Sequence, residues 1–345
     1  MYGLRRSRHW AWPIIEAMLN TMKQRVAVVG ARGHTGSFVI SELQRRGMTP
    51  IPCDRGTDLD LALEGADAVI NCAGPFAATA ERVIESAIRA GIPYLDVTAE
   101  AEVVTSTFAN YASASVPIVP AAAFYGGLGD LLATAATGDW SAADHLTIAY
   151  ALSSWRPTPG TRATGRVSAE RRAGRRIVYT GRALQFREGD QPRGEWAFPA
   201  PLGIRPVIGE VTMADSATIP THLDIPEIST YMSSNALDDL AAADPSGPVA
   251  VDERGRSAQT FLVEVVARSG GAERRATAVG KDIYAVTAPL VVEAAVRVLA
   301  GAGDYTGVAS VGGRFNAEDF LSSLSPDHLT LGYPDGRTVS SCLPG

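Results

Sequence analysis

The 345-residue sequence predicts an α/β protein with two domains, one built on a parallel sheet and one on a mixed or antiparallel sheet. Between residues 22 and 136, short apolar runs alternate with amphipathic helical patterns, which is typical of parallel strands joined by helices. Between residues 137 and 280, longer strands of mixed alternation predict an inserted α+β domain. An apolar helix that starts near Thr287-Ala-Pro289 then returns the chain, so residues 281–345 are assigned to the first domain.

The composition is that of a globular protein and argues against two kinds of partner. Hydrophobic residues make up 46% of the chain, charged residues 20%, and the formal net charge is −6. This acidic balance disfavours nucleic acid or an anionic membrane as the main partner. Cys53, Cys72 and Cys342 are widely spaced, and the five histidines are scattered. We therefore expect reduced thiols, a cytoplasmic location and no metal site.

Residues 1–21 are expected to form an extension outside the fold. Glu16 interrupts the apolar run that begins at Trp10, and no small-residue cleavage site follows it. The run is also too short to span a membrane. We expect a disordered or partner-dependent segment here.

The strongest functional motif follows the first predicted strand, Arg25–Val29. Gly30, Gly33 and Gly36 come next at G-x-x-G-x-x-G spacing, and an amphipathic helix begins at once. Gly30 permits a tight turn, Gly33 lets the backbone approach phosphates, and Gly36 lets the helix pack on the strand. The N–H groups at the start of the helix attract an anion. This order predicts a Rossmann dinucleotide-binding domain, whose loop contacts are assigned to Gly30, Arg32, Gly33, His34, Thr35 and Gly36.

The second strand, Thr49–Cys53, ends where the ribose of a bound dinucleotide would lie. An acidic residue at this point binds the 2′-hydroxyl of NAD, whereas an arginine favours the 2′-phosphate of NADP. Asp54 supports the first choice, while Arg55 and Arg32 support the second. Two guanidinium groups against one carboxylate lead us to predict NADP, with NAD as the alternative.

Three further predicted strands end in turn-forming or polar residues. The strand within 66–72 is followed by a Gly-Pro turn, and the strand after Pro93 is followed by Thr98 and Glu100. A third strand, within 116–120, leads to Tyr125 and a glycine-rich turn that ends at Asp130. Open α/β sheets bind ligands at the carboxyl ends of their strands, so these residues are candidates for one pocket.

Three blocks of sequence resemble the saccharopine dehydrogenase-like family, which includes saccharopine reductases, carboxynorspermidine dehydrogenases and trans-acting enoyl reductases. They are Gly30-x-x-Gly33-His-Thr-Gly36, Val69-Ile-Asn71-Cys-Ala-Gly74-Pro75-Phe76 and Gly91-x-x-Tyr94-x-Asp96-x-Thr98-x-Glu100. The resemblance covers residues 23–130 and returns at Lys281–Ala288. In two places the chain departs from the family: the segment between Arg55 and Asp67 is shorter, and Ala99 replaces a glycine.

The resemblance implies an NADP-dependent oxidoreductase with a small-molecule substrate. It also implies a homodimer joined through the sheet domain at 137–280, which would contribute to substrate binding. It places Ala73, Gly74, Pro75 and Phe76 beside the nicotinamide or its ribose, with Thr98 in the same pocket. Hydride would pass to a C=N or C=C bond. Tyr125 is the candidate proton donor, Glu100 lines the pocket, and Arg162 would hold a substrate carboxylate. A C=C substrate would instead need an apolar pocket, for which the candidates are Trp155, Phe186, Trp196 and Phe198.

A protein of another class also fits these observations. The short segment after Arg55, together with the lack of an obvious acid/base pair, leaves open the alternative of an NADP-binding redox sensor or scaffold without turnover. Such a protein would bind the cofactor and consume none of it.

Overall fold

The computed structural model describes residues 24–242, 244, 246–301, 305–333 and 338–339. The predicted extension at 1–21, as well as Cys342, lies outside these residues. No helix among the described residues combines the length and apolar character that crossing a membrane requires. These residues also contain no group of three or more His, Cys, Asp or Glu side chains arranged to hold a metal ion.

Within the described residues, the first sheet has six strands, and every pairing in it is parallel. The strands are β1 (Arg25–Val29), β2 (Thr49–Cys53), β3 (Ala68–Asn71), β4 (Tyr94–Asp96), β5 (Pro117–Val119) and β14 (Gly307–Val308). Their order across the sheet is β2-β1-β3-β4-β5-β14. The predicted Rossmann-type parallel sheet is confirmed. Its central strands are apolar because helices cover both faces of the sheet.

Helices connect these strands and continue into the second domain. The helices of the first part are α1 (His34–Arg45), α2 (Leu59–Leu63), α3 (Phe76–Ala90) and α4 (Ala101–Tyr111). A π-helical turn, Phe124–Leu128, leads into α5 (Gly129–Thr137). The remaining helices are α6 (Pro159–Arg171), α7 (Asp215–Thr218) with a 3-10 turn at Ile219–Thr221, α8 (Ser234–Ala241), α9 (Ile283–Leu299), α10 (Val311–Arg314) and α11 (Ala317–Ser323).

The second sheet is mixed, as predicted, and ten of its strands lie in the described residues. They are β6 (His145–Leu152), β7 (Arg176–Thr180), β8 (Ala183–Arg187), β9 (Arg193–Phe198), β10 (Gly203–Gly209), β11 (Ile228–Ser233), β12 (Thr260–Ser269), β13 (Ala272–Lys281), β15 (Leu329–Gly332) and β16 (Thr338–Val339). Strands β6 and β11 are parallel, and the other pairings are antiparallel.

The C-terminal part of the chain does not belong to the first domain throughout. Helix α9 packs on α1, and β14 joins the parallel sheet, in agreement with the prediction. However, β15 pairs with β13 and β16 pairs with β15, so the end of the described chain extends the second sheet. The assignment of all of 281–345 to the first domain is therefore corrected.

Helix α9 also begins earlier than predicted. The side chain of Asp282 accepts hydrogen bonds from the backbone N–H groups of Tyr284 and Ala285, which fixes the helix start at Ile283. Pro289 consequently lies inside the helix rather than in its first turn. This earlier start turns Tyr284 towards the space between the two sheets.

The core is continuous across both sheets. Val26 and Val28 of β1 belong to the same buried cluster as Val263 and Val265 of β12. Helix α5 packs against β12 and β13, which brings the second sheet up to the carboxyl ends of the parallel strands. The space left between the two sheets at that edge is the candidate site.

Candidate functional site

A cavity of about 920 Å³ lies at the carboxyl ends of β1, β2 and β3 and continues towards the second sheet. It brings together many of the residues that the sequence singled out. Those lining it are Gly30, Gly33, His34, Thr35, Asp54, Arg55, Ala73, Gly74, Phe76, Glu100 and Tyr125. The second domain contributes Trp155, Thr158, Thr161, Thr164, Ser168, Arg172, Leu237 and Leu240, and helix α9 contributes Tyr284.

The glycine turn after β1 has the close approaches that its spacing predicts. Gly30 adopts a φ of +78°, and its N–H donates to the carbonyl of Cys53 at 2.7 Å. A Cβ added at Gly36 would lie 2.1 Å from the carbonyl oxygen of Gly30, so helix α1 can pack here only with glycine. No described side chain caps the start of α1, which leaves its first N–H groups facing the cavity edge.

At the predicted ribose end, Asp54 is already paired. Its carboxylate accepts hydrogen bonds from Arg32 Nε at 2.6 Å and from the Arg32 backbone N–H at 3.2 Å. The Arg32 side chain is 81% exposed and does not line the cavity, whereas Arg55 does. The two arginines therefore have different positions: one neutralises Asp54 and the other is available at the cavity wall.

His34 lies at the first turn of α1, between two aromatic rings. Its ring contacts Phe38 and Tyr284 edge-on, each with 5.2 Å between the ring centroids. Its Nε2 is buried and has no hydrogen-bond partner among the described residues. Burial lowers the pKa of His34 below its usual 6.5, so the imidazole is neutral at pH 7.

The turn from Ala73 to Phe76 is held at Ala73 by two side-chain hydrogen bonds and is covered by α6. The Asn71 side-chain oxygen accepts from the N–H of Ala73 at 3.0 Å, and the Thr79 hydroxyl donates to the Ala73 carbonyl at 2.6 Å. A Cβ added at Gly74 would lie 2.5 Å from Oγ1 of Thr164, which shows that α6 passes directly over this turn. Pro75 precedes α3 and does not line the cavity.

Glu100 is held at the N-terminus of α3 as well as at the cavity wall. Its carboxylate oxygens accept from the backbone N–H groups of Phe76 at 2.7 Å and Ala77 at 3.2 Å. Burial raises the pKa of Glu100 to about 7, although these two hydrogen bonds favour the charged form. The group can therefore be neutral or charged near physiological pH.

Thr98 stands behind the cavity rather than in it. The side chain is fully buried, and its Oγ1 accepts from the N–H of Glu100 at 3.1 Å. The Thr98 N–H in turn donates to Asp96 at 3.0 Å. Thr98 therefore stabilises the turn that carries Glu100, and Thr98 does not line the cavity.

Tyr125 is packed into the end of the cavity nearest the second sheet. Its ring contacts those of Phe124, Tyr150 and Trp155 at centroid distances of 4.8, 5.3 and 5.6 Å. Within the described part of the chain, the buried Tyr125 hydroxyl has no hydrogen-bond partner. Burial raises the pKa of Tyr125 well above its usual value, so the phenol keeps its proton and its O–H can donate a hydrogen bond to a ligand.

Tyr284 differs from Tyr125 in having three polar neighbours around its hydroxyl. Trp155 Nε1 donates to it at 3.1 Å, and the backbone N–H of Thr158 donates at 3.3 Å. The hydroxyl of Thr161 lies 2.9 Å away, and either oxygen of that pair can donate. Burial raises the pKa of Tyr284, while these hydrogen bonds lower it.

Arg162 does not face the cavity, in contrast to the predicted carboxylate clamp. Its guanidinium donates to the backbone carbonyls of Leu240 at 3.4 Å and Ala242 at 3.2 Å, and also to the carbonyl of Asp244. These carbonyls lie at the end of α8, where the unpaired acceptors of a helix attract a cation. The arginine therefore ties α6 to the end of α8.

Three of the four aromatic residues proposed for an apolar pocket lie elsewhere. Phe186 is exposed and lies under Arg175, Trp196 bonds to Glu264 through its indole N–H, and Phe198 belongs to a separate buried cluster. Of this group, Trp155 lines the cavity.

Sequence reasoning missed the inner face of α6. After its first two residues, those that line the cavity lie at positions i, i+3, i+4 and i+7 and are small or polar, namely Thr161, Thr164, Gly165 and Ser168; Arg172 follows directly after the helix. This spacing is the helical period, but the pattern was not recognised because it contains no large apolar side chain. The helix start was also readable from Thr158-Pro159, since Thr158 Oγ1 accepts from the N–H of Thr161.

The fold and cavity together define an α/β protein with two sheets and a cleft at the carboxyl ends of its parallel strands. The sequence matches no protein-family model and no curated protein. Among solved structures, the chain is similar to apo saccharopine dehydrogenase (L-Glu forming) from Saccharomyces cerevisiae, with a TM-score of 0.55 and 12% sequence identity. The match covers 92% of this chain and 100% of that one. The chain therefore has a saccharopine dehydrogenase-like fold.

Weaker similarities extend to other solved structures. An oxidoreductase from Sinorhizobium meliloti matches with a TM-score of 0.40 and 10% identity, over 87% of this chain and 96% of that one. A dehydrogenase from Chromobacterium violaceum matches with a TM-score of 0.35 and 11% identity, over 75% of each chain.

Proposed function

We propose that the protein is an NADP(H)-dependent oxidoreductase that transfers hydride to a C=N or C=C bond of a small substrate. The observation that carries the proposal is one cavity that runs from the glycine turn after β1, past Gly74, to Tyr125 and the second sheet. A bound nicotinamide dinucleotide would supply the hydride, while the chain supplies the binding surface and its orientation.

The residues present fit a dinucleotide at one end of the cavity. The turn at Gly30 and Gly36 leaves room for no side chain, and the uncapped N-terminus of α1 presents N–H groups for a pyrophosphate. The 12-residue length of α1 gives that terminus a full helix dipole. Oxidoreductases with this fold, such as the yeast saccharopine dehydrogenase, support the same assignment.

The preference for NADP rests on the charges at the end of β2. Because Arg32 pairs with Asp54, the carboxylate there is neutralised, and Arg55 adds a positive charge at the cavity wall. A 2′-phosphate would meet a net positive site, and Arg55 can form charge-assisted hydrogen bonds with it.

At the substrate end we assign a positioning hydrogen bond to Tyr125. Its phenol has an unpaired proton, and it lies among apolar rings where a hydrogen bond to a substrate atom is strengthened. Trp155, Leu237 and Leu240 supply apolar surface beside it. A homodimer formed through the second sheet is also part of the proposal, and light scattering tests it.

Calorimetric titration with NADPH and NADH tests the cofactor assignment. We expect NADPH to bind more tightly, and Arg55→Ala to weaken NADPH binding by about 1.5–3 kcal/mol while leaving NADH binding unchanged. Arg32→Ala should weaken NADPH binding and strengthen NADH binding, because it frees the Asp54 carboxylate for a ribose hydroxyl.

The matched control is Arg205→Ala, which removes an exposed arginine from β10, away from the cavity. It should leave both affinities unchanged. Binding of neither nucleotide would contradict the proposed function, and equal binding of both by the wild-type and Arg55→Ala proteins would contradict the NADP preference.

A further inference from the structure

We infer that Tyr284 is the acid that protonates the substrate in the proposed reaction, with its phenolate held by Trp155, Thr158 and Thr161. The inference rests on the proposed function and assigns a residue to the proton that this function requires. It also gives Tyr125 and Tyr284 different tasks in the same cavity.

The chemistry requires one proton beyond the hydride. Reduction of a C=N or C=C bond forms a C–H bond with the electron pair of the hydride and leaves an electron pair on the neighbouring nitrogen or carbon. That atom takes a proton as an O–H bond of the enzyme breaks, and the electron pair of that bond stays on the phenolic oxygen. An effective acid therefore needs an environment that accepts its conjugate base.

The hydroxyl of Tyr284 has such an environment. Two N–H groups, from Trp155 and Thr158, already donate to its oxygen at 3.1 and 3.3 Å and occupy its lone pairs. In the neutral phenol, the proton must then point towards Thr161 or towards a ligand. When the proton leaves, the Thr161 hydroxyl can reverse and donate at 2.9 Å, which gives the phenolate three donors.

Tyr125 lacks this support. No described residue donates to its buried hydroxyl, so its phenolate would be desolvated and unpaired. Tyr125 is therefore suited to donating a hydrogen bond while remaining neutral. The two residues are linked through Trp155, whose ring packs on Tyr125 and whose indole N–H bonds to Tyr284.

The position of Tyr284, in the first turn of α9 and in contact with α6, agrees with this role. Thr161 bonds to Tyr284, and Thr164, about 5 Å further along the helix, lies directly over Gly74 in the turn beside the proposed nicotinamide site. The titratable groups that face Tyr284 are His34 of α1, Asp282 at the start of its own helix and Tyr125 from the π-helical turn. Because burial lowers the pKa of His34, its imidazole is neutral at pH 7 and places no positive charge beside the Tyr284 hydroxyl.

The three groups around the Tyr284 oxygen, namely Trp155 Nε1–H, the Thr158 N–H and the Thr161 hydroxyl, form what we call the phenolate hole. This hole can be tested without turnover. Protein labelled with 13C at tyrosine Cζ is titrated by NMR at alkaline pH, and Tyr284→Phe assigns the signal. Thr161→Val should lower the acid dissociation constant of Tyr284 by about fivefold, because the bond it removes is stronger to the phenolate than to the phenol. Thr161→Ser keeps the hydroxyl and should leave the constant unchanged. An unchanged constant in Thr161→Val overturns the inference.

Turnover provides the second readout. Once a C=N or C=C substrate is reduced by the wild-type protein, Tyr284→Phe should lower kcat by about 10²–10⁴-fold with little change in KM or in NADPH affinity. Tyr125→Phe should mainly raise KM. Full turnover in Tyr284→Phe overturns the acid role alone. Absence of turnover by the wild-type protein overturns the proposed function, and the NMR titration still reports separately on the phenolate hole.

Discussion

Glu100 shows how burial and hydrogen bonding compete at a single carboxyl group. Two backbone N–H groups at the start of α3 favour its charged form, yet burial prevails and raises its pKa from 4.5 to about 7. The folded protein therefore binds this proton more tightly than the unfolded chain does. Stability from this group is complete below pH 4.5 and is lost as the pH rises through 7.

Glu100→Gln should remove that pH dependence. The free energy of unfolding of the wild-type protein, relative to the variant, should fall between pH 4.5 and pH 8 by at most about 3 kcal/mol. Urea unfolding at several pH values measures it, and taking the difference between the two proteins cancels the parallel effects of Asp96 and Asp215. Parallel stability curves for the two proteins would show that the pKa of Glu100 is ordinary.

Gly36 is a residue at which one added methyl group should reduce both the stability of the protein and its nucleotide binding. Gly36→Ala would place a Cβ 2.1 Å from the Gly30 carbonyl oxygen, and neither backbone can move without opening the turn. We expect a loss of about 1–3 kcal/mol in unfolding free energy and loss of nucleotide binding. Denaturant unfolding and calorimetry measure the two effects.

The control for the stability effect of this substitution is Gly165→Ala in α6, where a Cβ would meet no atom within 4 Å. Replacing a helical glycine in open space by alanine should raise the free energy of unfolding of the protein by about 0.5–1 kcal/mol. Equal changes in the free energy of unfolding for the two variants would contradict the conclusion that Gly36 is needed for the close packing of α1 on the Gly30 turn.

Whether a site residue could be located from the sequence depends on how far along the chain its contacts lie. Gly30, Gly33 and Asp54 line the cavity, and their contacts with a cofactor stay predictions; their positions depend on neighbours within one β-α-β unit. Arg162 lies outside the cavity lining, because its partners are carbonyls about 80 positions further along the chain. No local pattern distinguishes an arginine that binds a helix end from one that binds a substrate.

At the scale of elements, a buried polar network joins β3 to β4 beneath the cavity. The amide nitrogen of Asn71 donates to the Tyr94 hydroxyl at 3.3 Å, and that hydroxyl donates to Asp96 at 2.9 Å. Asp96 also accepts from the N–H groups of Thr98 and Ala121. The network therefore holds together the ends of three neighbouring strands that carry the site.

Tyr94→Phe should weaken this junction. It leaves Asn71 and Asp96 each without one partner in a fully buried place, which should cost about 1–3 kcal/mol in unfolding free energy. Tyr111→Phe is the matched control, since its hydroxyl makes no hydrogen bond within the described residues, and it should change stability by less than about 0.5 kcal/mol. Equal effects of the two changes, measured by urea unfolding, would contradict a structural role for the network.

Elements with strong apolar patterns were predicted to within a few residues, and those without were missed. Strand β6 (His145–Leu152) lies in the region 137–280, where the alternating pattern predicts longer strands, and its alternate residues pack on the main core cluster. Helix α6 has one buried residue, Ser168, so it lacks the apolar stripe that reveals a surface helix. Its polar face is explained by the cavity that it covers.

At the scale of the whole molecule, the site depends on the way the second sheet closes over the first. The fold class and the inserted second domain followed from the change of pattern near residue 140, but the pairing of β15 with β13 did not. Strands of four residues or fewer, such as β15, carry little sequence signal, and β13 lies about 50 positions earlier in the chain. The closure brings Tyr284, Trp155 and Tyr125 into one cavity with the glycine turn.

The most direct test of this account is NADPH consumption, followed at 340 nm, with three substrate classes: preformed cyclic imines, α-keto acids mixed with amines, and α,β-unsaturated thioesters. The account predicts oxidation of NADPH with at least one class, dependent on active protein and abolished in Gly36→Ala. Tight NADPH binding without consumption in any class would contradict it, and would instead favour a redox sensor or scaffold.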